Sequence, residues 1–219
     1  MNDPEKEITP LTIDDWGLTD YRLAFDRQTE MVTARLSGRG ADTLVFVEHP
    51  ATVTLGRRAT EDDLHLSEKG FSERGVTLQR INRGGLVTAH EPGQLVVYPL
   101  IVLKKHDLRW YANRFLQVVI SLLADYGVVG YLKDGEPGVW VNGCKICSFG
   151  IALKKWISSH GIALNINNSL DTFTMIVPCG RPDEVVTSLA RELGRPVDMA
   201  EAKKRFSKHF CQAFAYEEK

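Results

Sequence analysis

The stretch Gly138-Val139-Trp140-Val141-Asn142-Gly143-Cys144-Lys145-Ile146-Cys147-Ser148-Phe149-Gly150-Ile151-Ala152-Leu153 decides how this chain folds. Asn-Gly is the dipeptide preferred in a two-residue hairpin turn, where both central residues take positive φ, and here it separates two apolar-rich runs. The reading is a strand at 138–141, a tight turn at Asn142-Gly143 and a returning strand at 145–153. Residues 157–166 continue the sheet.

Working outward, 44–48 and 52–55 are β-branched runs parted by His49-Pro50, and 76–81 is a further strand. The apolar run 94–102, after Pro92-Gly93, suits a buried strand. Residues 19–36 carry Leu23, Phe25, Met31, Val32 and Leu36 as an approximate helical stripe that ends before Gly38 and Gly40. Residues 108–126 repeat that pattern with Phe115, Val118, Val119, Leu122 and Leu123, and Gly127 is the stop. Near the C-terminus, Pro182 reads as the start of a helix that runs to Leu193 and Gly194, and Asp198 with Glu201 as a capping box opening a helix to about Ala215. Helices bracketing a mostly antiparallel or mixed sheet give an α+β class, also describable as mixed α/β. With no repeat and no linker, residues 1–219 read as a single domain.

Composition narrows the function. Hydrophobic residues at 43% and charged residues at 25% are those of a globular protein. A formal net charge of −1 gives no global attraction to nucleic acid or to an anionic membrane. The charged opening residues do not read as a signal peptide, and the run 95–103 is broken by Pro99 and too short to span a bilayer, so a cytoplasmic location and no membrane contact are expected. Cys144, Cys147, Cys179 and Cys211 are too sparse for a disulfide framework. Cys144 and Cys147 have metal-like spacing but no second pair, and on a regular strand they would point to opposite faces, so no metal is expected.

The candidates for chemistry lie in the turns. Cys179, between Pro178 and Gly180, sits where the backbone continues neither a helix nor a central strand, so its sulfur can be presented to a pocket; a cysteine taken alone is more often a small buried hydrophobe than a nucleophile. Arg83-Gly84-Gly85 follows a strand, and paired glycines let backbone approach a ligand, although a plain turn has the same composition. The stretch lacks the lysine and serine of a P-loop and the three-glycine dinucleotide fingerprint.

Taken together, Arg83-Gly84-Gly85-x-Val87-Thr88-x-His90-x-Pro92-Gly93-Gln94-Leu95, Lys145-Ile146-x-Ser148-x-Gly150, Ser159-His160-Gly161-x-Ala163-Leu164-Asn165 and Pro178-Cys179-Gly180 resemble, in order, the motifs of the lipoyl(octanoyl) transferases. The resemblance implies a biotin/lipoate protein ligase-like sheet flanked by helices, with no metal, ATP or other cofactor. It implies transfer of an octanoyl or lipoyl group from octanoyl-acyl carrier protein to lipoyl domains of 2-oxoacid dehydrogenases and to the glycine cleavage H protein, by a monomer. Cys179 would be the acyl-thioester nucleophile and Lys145 its activating partner. Arg83, Gly84, Gly85, Leu86, Val87, Thr88, Ala89 and His90, with Ser148, Phe149, Gly150, Gly161, Ile162 and Ala163, would line the acyl site. Two positions depart from the family: Ala89 stands where an aromatic is common, which would widen the acyl pocket, and Glu91 where glycine is common. An ATP-dependent lipoate–protein ligase of similar fold, or an inactive lipoyl-domain binder, are the alternatives.

The chemistry limits what Lys145 can do. Lowering a thiol pKa of about 8.5 by about 1.5 units raises the thiolate roughly fifteen-fold but lowers its nucleophilicity about five-fold, a net gain of about three-fold. Proton transfer must then be its larger contribution. Backbone N–H groups at Cys179-Gly180 or Gly84-Gly85 are both candidates to hold the oxyanion. His90 and His160 either position substrate or serve structure. Arg57-Arg58, Lys104-Lys105, Lys154-Lys155 and Lys203-Lys204-Arg205 could dock acidic partners or form ordinary solvated faces.

Overall fold

The Asn142-Gly143 turn forms as its dipeptide dictates, with φ of 50° and 85°, in a computed structural model that describes residues 9–177 and 184–219. In chain order the elements are β1 (Thr9–Leu18), α1 (Tyr21–Leu36), β2 (Thr43–Glu48), β3 (Thr52–Leu55), α2 (Glu68–Ser72), β4 (Thr77–Arg80), β5 (Val87–His90), β6 (Gln94–Leu100), α3 (Leu108–Asp125), β7 (Tyr131–Lys133), β8 (Glu136–Val141), β9 (Cys144–Lys154), β10 (Ile157–Asn165), α4 (Leu189–Leu193), α5 (Met199–Phe214) and β11 (Tyr216–Glu218), with 3-10 turns at Glu61–Asp63 and Asp171–Met175. An eight-stranded sheet runs β11-β1-β2-β6-β10-β9-β8-β7, and β4-β3-β5 form a three-stranded one. β1 runs parallel to both β2 and β11, and β3 to β4, while the other pairs are antiparallel. The mixed sheets and flanking helices make this an α+β fold.

Strand alternation sorts the central side chains into two layers. Leu44, Phe46, Leu95, Val97, Ile162 and Leu164 face α3 and α5, where Phe115 stacks at right angles against Phe206 and Phe210. Val45, Val47, Val96, Tyr98, Leu100 and Ala163 face α1. The small sheet closes a satellite core with Phe71 of α2, Phe173 and Ile176. Aspartates begin the long helices: Asp20, Asp107 and Asp198 each accept first-turn backbone N–H groups.

The centre of the sheet tolerates Pro99 through a local exception. Extending the Ile162–Val97 register places Pro99 opposite His160, whose φ is 57° and whose N–H leaves the ladder for Gln28 Oε1 of α1 at 2.8 Å. Gly161 then lets β6 approach: a Cβ there would collide with the Val97 carbonyl oxygen and meet Pro99 Cδ at 3.0 Å.

Several expectations are corrected. The start of the acyl-site loop is irregular, but 87–90 is strand β5, paired with β3. Residues 184–188 are not helical: Val186 bridges Lys145, and the helix waits for Ser188, whose hydroxyl accepts from Arg191 N–H. Two adjacent valines favour that extended pairing; Pro182 lies outside the described residues. In α1 the buried residues are Tyr21, Ala24, Gln28 and Val32; of the expected stripe Val32 is buried and Met31 and Leu36 pack partly buried against the same core, but Leu23 is 57% exposed. At Asp198 the box is half formed, because the Glu201 carboxylate receives Arg205 at 2.7 Å. Strands β1, β7 and β11 have no counterpart in the sequence reading.

Gly161→Ala is expected to lower stability by about 3 kcal/mol or more, the upper end of overpacking costs, because the collision is with backbone; denaturant titration of both proteins checks this.

Candidate active site

Lys145 is presented by an irregularity in β9. Val141 pairs with Cys144, Trp140 with Lys145 and Val139 with Cys147, so Ile146 is the extra residue of a β-bulge. Cross-strand partners share a face, so the bulge puts Cys144 and Cys147 on one face with Val141 and Val139, overturning the opposite-face expectation, and turns Lys145 to the other with Trp140. Cys147 is buried, which pushes its thiol pKa up. Among the described residues there is no cluster of three or more His, Cys, Asp or Glu that could hold a metal ion.

The Lys145 side chain is 4% exposed and its Nζ lies 3.1 Å from Glu184 Oε1 and 5.0 Å from the Trp140 ring centroid. Its backbone N–H donates to Val185 O at 2.8 Å and its carbonyl accepts from Thr187 N–H at 2.9 Å. Gly138 leaves room for the stem, since a Cβ there would meet Lys145 Cε at 2.9 Å. Cys179 itself lies outside the described residues, but the segment following it, Glu184 to Thr187, runs against Lys145.

The glycine loop is anchored by Arg83. Its guanidinium is buried and donates to Thr54 Oγ1 at 2.9 Å, Thr54 O at 3.0 Å and Gly84 O at 3.0 Å. Gly85 takes φ 91°, and Gly56 is needed because a Cβ would meet Gly85 O at 2.6 Å. Gly84 N–H donates to Ile151 O of β9 at 3.3 Å, docking the loop beside the lysine strand.

Two histidines have tautomers fixed by their partners. His90 Nδ1–H donates to Gln94 Oε1 at 2.8 Å, leaving Nε2 to accept from the Thr54 hydroxyl at 3.5 Å. His49 Nδ1–H donates to Thr19 O at 2.7 Å, so its Nε2 accepts from Tyr98 Oη at 2.8 Å. His160 meets Asn82 Oδ1 through Nε2 at 2.9 Å and stacks on Phe25. Burial lowers the pKa of His49 and of His160 to about 4, and pushes His90 well below its ordinary value. Burial raises Tyr21 to about 12. The site is thus walled by neutral imidazoles and phenols.

Two adjoining cavities result. One, about 230 Å³, is lined by Arg58, Arg83, Thr88, Lys145, Ser148, Phe149 and Glu184 among others. The other, about 30 Å³, lies between Tyr21, His90, Tyr98, His160, Gly161, Ile162 and Ala163, and shares Arg83, Thr88, Ser148 and Phe149 with the first. Gly85, Leu86 and Val87 belong to the larger lining, and Gly150 to the smaller. Gly84 and Ala89 line neither. Parity along β5 explains Ala89: Thr88 and His90 point to the cavity while Val87 and Ala89 enter the satellite core, where Ala89 pairs with Val53. The expected widening of an acyl pocket at Ala89 is therefore not what the geometry provides. Glu91 replaces glycine with a buried carboxylate that accepts from Asn168 Nδ2 at 2.9 Å, Leu170 N–H at 2.5 Å and Thr172 N–H at 3.0 Å.

The sequence reading missed Glu184, Trp140, Thr54, Tyr21, Tyr98 and His49. Of these only His49, beside Pro50, carried a local cue, and it was absorbed as a turn. Of the basic clusters, Arg58 alone lines the larger cavity, while Lys203 pairs with Asp15 at 2.8 Å and Arg205 with Glu201 at 2.7 Å.

Two outcomes follow from this packing. Ala89→Tyr should cost about 1–3 kcal/mol of stability by overpacking, read by thermal unfolding, and leave the ratio of kcat/KM for decanoyl and octanoyl donors unchanged. Acidification should also destabilise. Histidines held near pKa 4 when folded bind protons on unfolding below about pH 6.5, so their stabilising effect is full above that pH and lost as pH falls towards 4. At pH 5 the loss is about 2 kcal/mol per histidine, measurable by urea titration at pH 7 and pH 5 and reduced in His160→Phe.

Comparison with known proteins accords with this geometry. The lipoyl protein ligase A/B catalytic domain family model matches residues 20–211. The chain is 41% identical to an octanoyltransferase of Chloroflexus aggregans, over 93% of this chain and 95% of that one. It is 45% identical to an octanoyltransferase of Rubrobacter xylanophilus, over 84% of each. In fold it is similar to the structure of a bipartite lipoate protein ligase and its E2 lipoyl domain from Thermoplasma acidophilum, with a TM-score of 0.73 at 15% identity over 97% of this chain and 86% of that one. It is also similar to biotin protein ligase from Aquifex aeolicus, with a TM-score of 0.53 at 15% identity over 93% and 68%. The chain belongs to the lipoyl protein ligase A/B catalytic domain family and, within it, stands with the octanoyltransferases.

Proposed function

We propose that this protein transfers an octanoyl group from acyl carrier protein to a lysine of lipoyl domains, in lipoate biosynthesis, through a thioester on Cys179. The observation that carries this reading is a buried lysine, Lys145, on the wall of the larger cavity, with the segment that follows Cys179 paired to its backbone. The octanoyltransferase relatives support the choice of acyl group and of reaction. No described helix is long and apolar enough to cross a membrane.

In the first half, the Cys179 thiol gives its proton to Lys145 and its sulfur attacks the donor carbonyl. A carbon–sulfur bond to Cys179 forms, the bond to the carrier's sulfur breaks, and the carrier leaves as a thiol with that proton. In the second half, the neutral amine of the acceptor lysine attacks the Cys179 thioester. The amide bond forms, the carbon–sulfur bond breaks, and the surplus amine proton returns through Lys145 to the Cys179 sulfur. A thioester suits both halves because its formation is a near-even exchange and its loss to an amine is favourable. The neutral walls of the smaller cavity leave Arg83 and Lys145 to supply positive charge beside the reacting carbonyl.

Incubation with octanoyl carrier protein, followed by intact mass, should give one octanoyl adduct that is absent in Cys179→Ala. An undiminished adduct in that variant would refute the nucleophile. Free octanoate with ATP should give none. Lys145→Met should slow both half-reactions by about 10²–10⁴-fold in single turnover, the usual size of a general acid–base contribution; a loss below about five-fold in both would remove the lysine from the mechanism.

A further inference from the structure

Lys145 is not alone at the cavity wall. Glu184 faces it as a second buried charge, with side-chain exposures of 4% and 6% and a separation of 3.1 Å. The pair is framed on one side by the Trp140 ring, 5.0 Å from Nζ. On the other, the lysine backbone is clamped between Val185 O and Thr187 N–H. The carboxylate is therefore delivered by the residue next to the one that holds the lysine strand. Other charged groups that line the same cavity are Arg58, Arg83 and Glu136.

A lysine that must take up and release a proton is pulled two ways. Burial disfavours its ammonium, and so do nearby guanidinium groups, while a close carboxylate favours it. At 3.1 Å the Glu184 carboxylate is in direct ion-pair contact with the lysine nitrogen. Resting on the reading of Lys145 as the proton-transfer group, we infer that Glu184 is a positioning residue that sets the protonation of Lys145 and holds its ammonium against the cavity wall. Neither the family motifs nor the chemistry of the thioester requires a carboxylate here.

The test reads the lysine directly. Competitive labelling with acetic anhydride across pH, resolved by peptide mass spectrometry, gives the pH of half-labelling for each lysine. It would be applied to the natural protein, Glu184→Gln and Glu184→Asp, with the exposed Lys69 as reference. In the isosteric Gln variant, loss of the carboxylate should lower the Lys145 midpoint by about 1–3 pH units, while Asp keeps most of it and Lys69 stays fixed. Single-turnover acylation of Cys179 should shift its pH profile in the same direction. An unchanged Lys145 midpoint in a folded Gln variant, or a shifted midpoint with an unmoved acylation profile, overturns the inference. A natural protein that forms no acyl adduct would instead contradict the acyl-transfer reading, and the labelling would still decide whether Glu184 governs the lysine.

Discussion

A continuous run of buried hydrogen bonds joins the glycine loop to the lysine strand, and the site depends on it. Arg83 donates to Thr54, Thr54 to His90, His90 to Gln94, Gln94 to Asn165, Asn165 to the Thr187 carbonyl, and Thr187 N–H to the Lys145 carbonyl. The relay starts in the glycine loop, passes through β3 and β5 of the small sheet, crosses β6 and β10, and ends beside the bulge in β9. Every member between the donating Arg83 guanidinium and the accepting Lys145 carbonyl is both donor and acceptor, so loss of one leaves a buried group unpaired at about 1–3 kcal/mol. That cost keeps the two sheets in one relative position and makes Arg83 and Lys145 walls of the same cavity.

The electrostatics follow from the same burial. A protonated imidazole is expensive where His49, His90 and His160 lie, so they remain neutral and act as oriented dipoles in hydrogen-bond chains. Among the described residues, charge at the cavities is carried by Arg83, which donates to backbone and Thr54, by the Lys145–Glu184 pair, and by Arg58 and Glu136 on the larger lining. On the proposed reading an apolar acyl chain would lie against Phe149, Ile162 and Ala163, while the charged groups line the larger cavity.

What could be read from the sequence was what is decided locally. Asn142-Gly143 fixes its turn because few other residues accept two positive φ values, and α3 was legible because its apolar positions repeat at helical spacing over its whole length. Strand β1 was missed because Asp14, Asp15 and Pro10 give it no alternation, and it is held by long-range pairing to β2 and β11. The extended run 184–188 was read as helix for the same reason: its partner, Lys145, is remote in sequence. The motifs located most of the cavity wall, yet strand parity, which sends Ala89 into the satellite core, and the bulge at Ile146, which turns Lys145 to its cavity, exist only once the strands are paired. Glu184 carried no signal, since a lone glutamate is ordinary until a buried lysine faces it.

The central claim is that the acyl group is held on Cys179 in the cavity that Lys145 and Arg83 share. The most direct measurement is a crystal structure of the protein trapped after reaction with octanoyl carrier protein in the absence of an acceptor. Density continuous from Cys179 Sγ into an acyl chain, with its carbonyl beside Lys145 Nζ and its tail between Thr88, Ser148 and Phe149, is the expected result. An octanoyl group bound as a free acid, or attached to any other residue, would contradict the account.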